Sequence, residues 1–194
     1  PTAPTMNTAR PRWASVMTRR IFQSGFNWKV IDAKWDGFEA AFWGFDVGRC
    51  ALMSDADLDT LVSDKRIVRN GAKIRSVRDN ADFLQELAAE HGSAATCFAD
   101  WPGEDFAGLL EMLKKRGSRL GGRVGAITLR FMGRDGYVLS DHVAKALIRE
   151  GVVDKEPSSR RDMAAVQAAF NTWTAESGRP LTHISRVLAF TVDG

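Results

Sequence analysis

Apolar residues return at intervals of three and four in stretch after stretch of this chain, and that spacing confines it to helices. Between Trp13 and Ser24 the apolar positions are Trp13, Val16, Met17, Ile21 and Phe22, one stripe of an amphipathic helix. The same reading gives helices over Val30–Trp43, with Gly37 as an interruption, Asp55–Ser63, Lys73–His91, Asp105–Arg116, Ala126–Met132, Asp141–Glu150, Arg161–Glu176 and Leu181–Ala189. Breaks fall where chemistry expects them. Ser54 and Ser140 stand as N-caps, Gly92 as a C′ glycine, and Gly117 stops the helix before it. Strand-like alternation is scarce, so the expected class is all-α, about ten short helices around a cleft.

The 194 residues suffice for a core without disulfides. One helical domain is expected over 13–194, after a flexible tail over 1–12, with a hairpin at about 113–132 and a C-terminal helical section at about 154–194. Cys50 and Cys97 match no zinc or iron–sulfur spacing and read as buried thiols of a reducing, cytoplasmic setting. No apolar run reaches a membrane span, and the polar start Pro1–Arg12 has no signal-peptide core. Net charge is only +3, so the placement of charge carries more information than its sum.

That placement is uneven. From Leu113 to Arg134 there are seven basic residues, Lys114, Lys115, Arg116, Arg119, Arg123, Arg130 and Arg134, and no acidic one. The run Leu120-Gly121-Gly122-Arg123-Val124-Gly125 is a tight glycine turn opening a helix. Glycines let the backbone approach a ligand, and unpaired N–H groups at the helix start favour an anion such as a DNA phosphate. A plain connection between two core helices with a solvated basic face explains the turn equally well. A second basic cluster, with Arg69 and Lys73, flanks Asn70-Gly71 and reads either as a phosphate contact or as a solvated face.

The turn resembles the helix-hairpin-helix of base-excision DNA glycosylases. Three further stretches are similar to the DNA-3-methyladenine glycosylase I family: Phe22-Gln23-Ser24-Gly25-Phe26-Asn27-Trp28, Ile67-Val68-Arg69-Asn70-Gly71-Ala72-Lys73-Ile74 and Leu113-Lys114-Lys115-Arg116-Gly117. The likeness runs in order from about Trp13 to about Val152. It implies double-stranded DNA with a damaged base as partner, a monomer, no cofactor, and hydrolysis of the N-glycosidic bond of an alkylated, 3-methyladenine-like base. It further implies that a base flipped from the duplex stacks on Trp28. Phe22, Gln23, Phe26 and Asn27 would line the same site, although Phe26 reads rather more readily as core and Gln23 and Asn27 also read as turn caps. Lys114, Lys115, Arg116, Arg119, Gly121, Gly122, Arg123, Val124 and Gly125, with Arg69 and Lys73, would hold phosphates. Asp141 would stabilise the positive charge developing on the sugar; its other reading is a first-turn acid offsetting the helix dipole.

Two departures qualify the resemblance. The family's pocket glutamate falls at Arg20, where a cation either turns outward to phosphates or changes the preferred lesion. His142 matches a zinc ligand whose partners are missing, Ala146 standing where a Cys is needed, so no metal is expected. Ala126 or Gly125 occupies the place of a strand-cutting lysine, which implies simple hydrolysis. The rival reading is a helix-hairpin-helix module that binds distorted or damaged DNA without cutting it. A purely structural helical domain fits the basic hairpin less well.

Overall fold

The computed structural model describes residues 12–192, and among these every regular element is a helix. The tail expected over 1–12 lies outside the described residues apart from Arg12. The helices are α1 (Trp13–Gln23), α2 (Trp28–Ala33), α3 (Trp35–Ala41), α4 (Val47–Ala51), α5 (Asp55–Ser63), α6 (Gly71–His91), α7 (Ala94–Asp100), α8 (Phe106–Arg116), α9 (Arg123–Phe131), α10 (Asp141–Arg149), α11 (Arg160–Ser177) and α12 (Leu181–Phe190). Short 3-10 turns at Trp43–Phe45 and Gly103–Asp105 complete them.

Side-chain caps set most of the boundaries. Ser54 and Asp57 form a reciprocal capping box at α5, and Ser159 and Asp162 do the same at α11. Asn70 accepts from the Lys73 N–H and starts α6 at Gly71, two residues before the periodicity does.

The expected helix Val30–Trp43 is instead two helices and a turn. The chain breaks at Lys34, whose φ/ψ of −96°/2° ends α2 and begins α3, while Gly37 lies inside α3. A Cβ on Gly37 would sit 2.4 Å from the Arg66 carbonyl oxygen, so this glycine serves close approach and not interruption. Trp43 and Phe45 then take positive φ of 51° and 57°. Stacked rings support that uncommon backbone, with Phe45 5.5 Å from both Trp35 and Phe42. Helices α4 and α7 went unread because five and seven residues are too few to show a period; their caps, Asp46 and Ser93, were the available signal.

Helix α6 is the central strut, packed by α1, α4, α5 and α7. Phe22, Phe38, Phe42, Phe83, Phe98 and Phe106 are fully buried in one continuous cluster that also takes in Phe170, Leu181 and Ile184. The C-terminal section is therefore tied into the same core. Tyr137 stacks on Phe170 at 4.4 Å and meets Phe106 edge-on at 4.9 Å. Its hydroxyl donates to Gln167 Oε1, which also accepts from the Ala107 N–H, so the buried polar groups of this joint are paired. Asp135 accepts from the N–H groups of Leu181 and Thr182 and thereby caps α12.

Candidate active site

Two features meet at the C-terminal end of α1. The first is an aromatic slot. Helix α1 stops at Gln23, Gly25 turns the chain at φ 68°, and the Asn27 side chain accepts from the Lys29 N–H to start α2 at Trp28. Trp28 opens a helix instead of filling a core, and its ring is 49% exposed. Phe131, the last residue of α9, is 59% exposed. The Arg20 guanidinium lies near both rings, 3.4 Å from the Phe131 ring centroid and 5.7 Å from that of Trp28.

A polar chain fixes that guanidinium from behind. Arg20 donates to Gln23 Oε1 at 2.7 Å, and Gln23 Nε2 donates to Asp32 at 3.0 Å. Arg19 donates to the same Asp32 oxygen through two nitrogens, at 3.1 and 2.7 Å. That hydrogen bond holds the Asp32 carboxyl below its usual range. Burial pushes the Arg20 pKa down, and Arg19 adds to the effect, yet a guanidinium stays charged at any ordinary pH. Asp32 and Trp28, four residues apart, share one face of α2.

The second feature is the hairpin. Helices α8 and α9 are joined by a turn in which Arg119 and Gly122 take φ of 60° and 59°. Gly122 offers no side-chain cap, so the first N–H groups of α9 have no side-chain acceptor there. Gly125 lies inside α9, where an added Cβ would stand 2.4 Å from the Leu120 carbonyl oxygen. Between the hairpin and the end of α1 is a cleft of about 350 Å³ lined by Ile21, Ser24, Lys73, Arg119, Gly121 and Val124. The Lys73 ammonium is inside this cleft, donating to the carbonyls of Ser24 at 2.7 Å and Phe22 at 3.2 Å. Its pKa is lowered by burial and by the neighbouring Arg119. Two cations thus converge on a cleft that no acidic side chain lines, an arrangement suited to an anion.

The chain resembles known DNA glycosylases over most of its length. Residues 12–105 match the methyladenine glycosylase family model. DNA-3-methyladenine glycosylase 1 of Escherichia coli is 30% identical over 139 residues, covering 62% of this chain and 73% of that protein. The chain belongs to the methyladenine glycosylase family. Among solved structures, 3-methyladenine DNA glycosylase I of Staphylococcus aureus, in a study of 3-methyladenine recognition, superposes with a TM-score of 0.56 at 19% identity, over 67% of this chain and 78% of that one. Another 3-methyladenine DNA glycosylase I gives 0.54 at 22% identity, over 68% and 80%. These likenesses support the fold: an all-helical glycosylase architecture.

Against that family background the sequence-expected residues divide. Trp28, Arg20 and Gln23 come together at the slot, whereas Phe22 is fully buried edge-on to Phe38 at 4.7 Å and backs the loop from the core. Phe26 is 45% exposed on the same loop, so its reading as core does not hold; Asn27 is the α2 cap. Lys73 is inward and largely buried, not on an open helix face, while Arg69 is exposed just ahead of α6. Of the hairpin cations, Arg116 pairs with Glu86 and Glu90, Lys115 with Glu111, and Arg123 with Asp141 and Glu156. Among the described residues Lys114 and Arg119 have no acidic partner within ion-pair distance.

Asp141 opens α10 beneath its Ser140 cap and is exposed, with Arg123 holding its carboxyl below the usual range. His142 beside it is exposed, and among the described residues no group of three potential metal ligands converges. Sequence reasoning missed Phe131 and Asp32. The spacing Trp28 to Asp32 was a readable signal; nothing in the sequence links Phe131 to Arg20. The larger cavity, about 800 Å³ between α8, α9 and α11, is lined by Asp105, Glu111, Arg123, Glu156, Met163 and Gln167 among others. Neither Trp28 nor Arg20 lines it, and its three carboxylates are matched by Lys114, Arg123 and Arg160, so it lacks the one-sided positive charge of the smaller cleft.

Proposed function

We propose that this chain is a monofunctional DNA glycosylase that hydrolyses the N-glycosidic bond of an alkylated base in double-stranded DNA and leaves an abasic site. Its relatives carry 3-methyladenine glycosylase in their names. The observation that carries the reading is the half-exposed Trp28, with the Arg20 guanidinium near it, at the same end of α1 as the basic cleft of the hairpin. A base within a duplex is out of reach, so it must leave the stack for a flat-walled site while its phosphates are held nearby. Arg119, Lys114 and the Gly121–Gly122 turn supply the phosphate contacts in this account, and they carry no base readout.

The chemistry asked of the protein is modest. Water adds to C1′ as the C1′–N bond breaks, the bonding electron pair leaves with the base, and the proton shed by the water goes to solvent when the base was cationic or to the departing base when it was neutral. Positive charge grows on the sugar, and an ionised carboxylate stabilises it. We assign that role to Asp141, which Arg123 keeps ionised at the margin of the hairpin. Ala126 is buried within α9 and offers no amine for covalent attack, in keeping with base release without strand scission. The protein acts in this reading as a cytoplasmic monomer, and the buried Cys50 and Cys97 fit a reducing setting. The test is base release from single-lesion duplexes scored beside binding. Release with an alkali-labile abasic site supports an enzyme, and tight binding without release supports the non-catalytic module.

A further inference from the structure

The aromatic slot already holds a flat cation that belongs to the protein. The Arg20 guanidinium lies 3.4 Å from the Phe131 ring centroid and 5.7 Å from that of Trp28. Arg20 Nε is buried and, among the described residues, has no hydrogen-bond partner. Only one of its hydrogen bonds goes to a neighbour, Gln23, and Gln23 is itself anchored to Asp32. Its outer nitrogen Nη2 makes no hydrogen bond among the described residues and, unlike Nε, is not closed off from solvent, so it is the donor an incoming acceptor can meet. A guanidinium presents its donors as a fork, which fits paired acceptors such as O6 and N7 of a purine.

From this we infer that Arg20 is a specificity-determining residue that selects an uncharged modified purine presenting acceptors on its O6/N7 edge, over a cationic N-methylated base. This rests on the glycosylase reading and names the substrate class of the same site. A cationic base stacking on Trp28 meets a second cation, held 5.7 Å from that ring's centroid, and like charges brought together reject the wrong partner. An oxopurine meets donors. The same contact bears on the bond-breaking step. A cationic base departs neutral, whereas a neutral base departs with the bonding electron pair and a negative charge. Hydrogen bonds from Arg20 to its edge stabilise that charge as it develops.

The experiment uses otherwise identical duplexes containing one 7-methylguanine, cationic in DNA, or one N2-methylguanine or hypoxanthine, both neutral with O6 and N7 unmodified. The wild-type protein, Arg20→Gln and Arg20→Glu are compared for equilibrium binding and for base release. The wild type is expected to favour the neutral lesions by at least about tenfold, the equivalent of about 1.4 kcal/mol. Arg20→Gln should bring the ratio towards one, and Arg20→Glu should reverse it. If Arg20→Glu fails to fold, as judged by its thermal melt, the loss of preference in Arg20→Gln carries the test. A wild type that favours 7-methylguanine, or variants that keep the wild-type ratio, would overturn the inference while leaving glycosylase activity standing. A binding preference that reverses as expected, with no release from any duplex, would uphold the inference and remove the enzymatic reading.

Discussion

Substituting Gly125 by Ala tests whether the hairpin geometry matters to both stability and function. The new Cβ would stand 2.4 Å from the Leu120 carbonyl oxygen and 3.2 Å from Leu113 Cδ1. The first neighbour is backbone, so no side-chain rotation relieves it, and the gap must open by about 1 Å to reach ordinary contact near 3.4 Å. Overpacking of this kind costs about 1–3 kcal/mol. At about 2–4 °C per kcal/mol for a chain of this size, the melting temperature should fall by about 2–12 °C. The displacement separates α9 from the turn that carries Arg119 and Gly121, so duplex affinity should fall with it. Base release should fall further still, since a misplacement of about 1 Å in a site can cost about a hundredfold. Gly103→Ala is the control: nothing lies within 4 Å of its added Cβ. Differential scanning fluorimetry with duplex binding by anisotropy reads both effects. A Gly125→Ala protein with the melting point and duplex affinity of Gly103→Ala would refute the reasoning.

Three further outcomes follow from the charges. Arg119→Ala should weaken binding to every duplex alike and reduce the slope of log affinity against log salt by about 0.9, one phosphate's worth. Arg116→Ala, already paired with Glu86 and Glu90, should leave that slope nearly unchanged; equal slopes for the two variants would undo the assignment of the cleft. Asp141→Asn should keep lesion binding and slow base release, because the carboxylate acts mainly in the transition state; full rates on every lesion would exclude it. Burial pushes the Cys50 thiol up to about 11, so native protein should resist iodoacetamide at pH 8. The unfolded chain loses that proton near pH 9.0, so this thiol's contribution to stability should decline as pH rises from there towards about 11; unfolding by urea at about pH 7.5 and about pH 10 in wild type and Cys50→Ala measures it.

What the sequence disclosed depended on how local the physics was. Helices of nine residues or more declared themselves, because apolar spacing and a capping side chain lie within one segment, as at Ser54 and Ser140. The break at Lys34 and the left-handed Trp43 and Phe45 did not, because ring stacking among Trp35, Phe42 and Phe45 sets them, and that is decided by packing. At the candidate site Trp28 could be picked out from the run Gln23–Trp28. The sequence offered two fates for Arg20 and could not choose, since Phe131 is brought opposite it by the docking of α9 on α1. Basic residues were visible as a cluster, and the i,i+4 pair of Glu111 with Lys115 within α8 was local, yet Glu86 and Glu90 of α6 and Glu156 of the loop before α11 also decide which of them remain free for DNA.

The central claim is that a flipped base is held at Trp28 and released. The most direct measurement is quantification of free base and of alkali-labile sites from the panel of single-lesion duplexes at saturating protein, for wild type and Trp28→Ala, with borohydride present in a parallel reaction. The wild type should release base from at least one lesion and form no trapped covalent adduct, and Trp28→Ala should cost about 1–3 kcal/mol of lesion binding. Saturated binding with no base released from any lesion, or a Trp28→Ala protein that binds and releases as the wild type does, would contradict it.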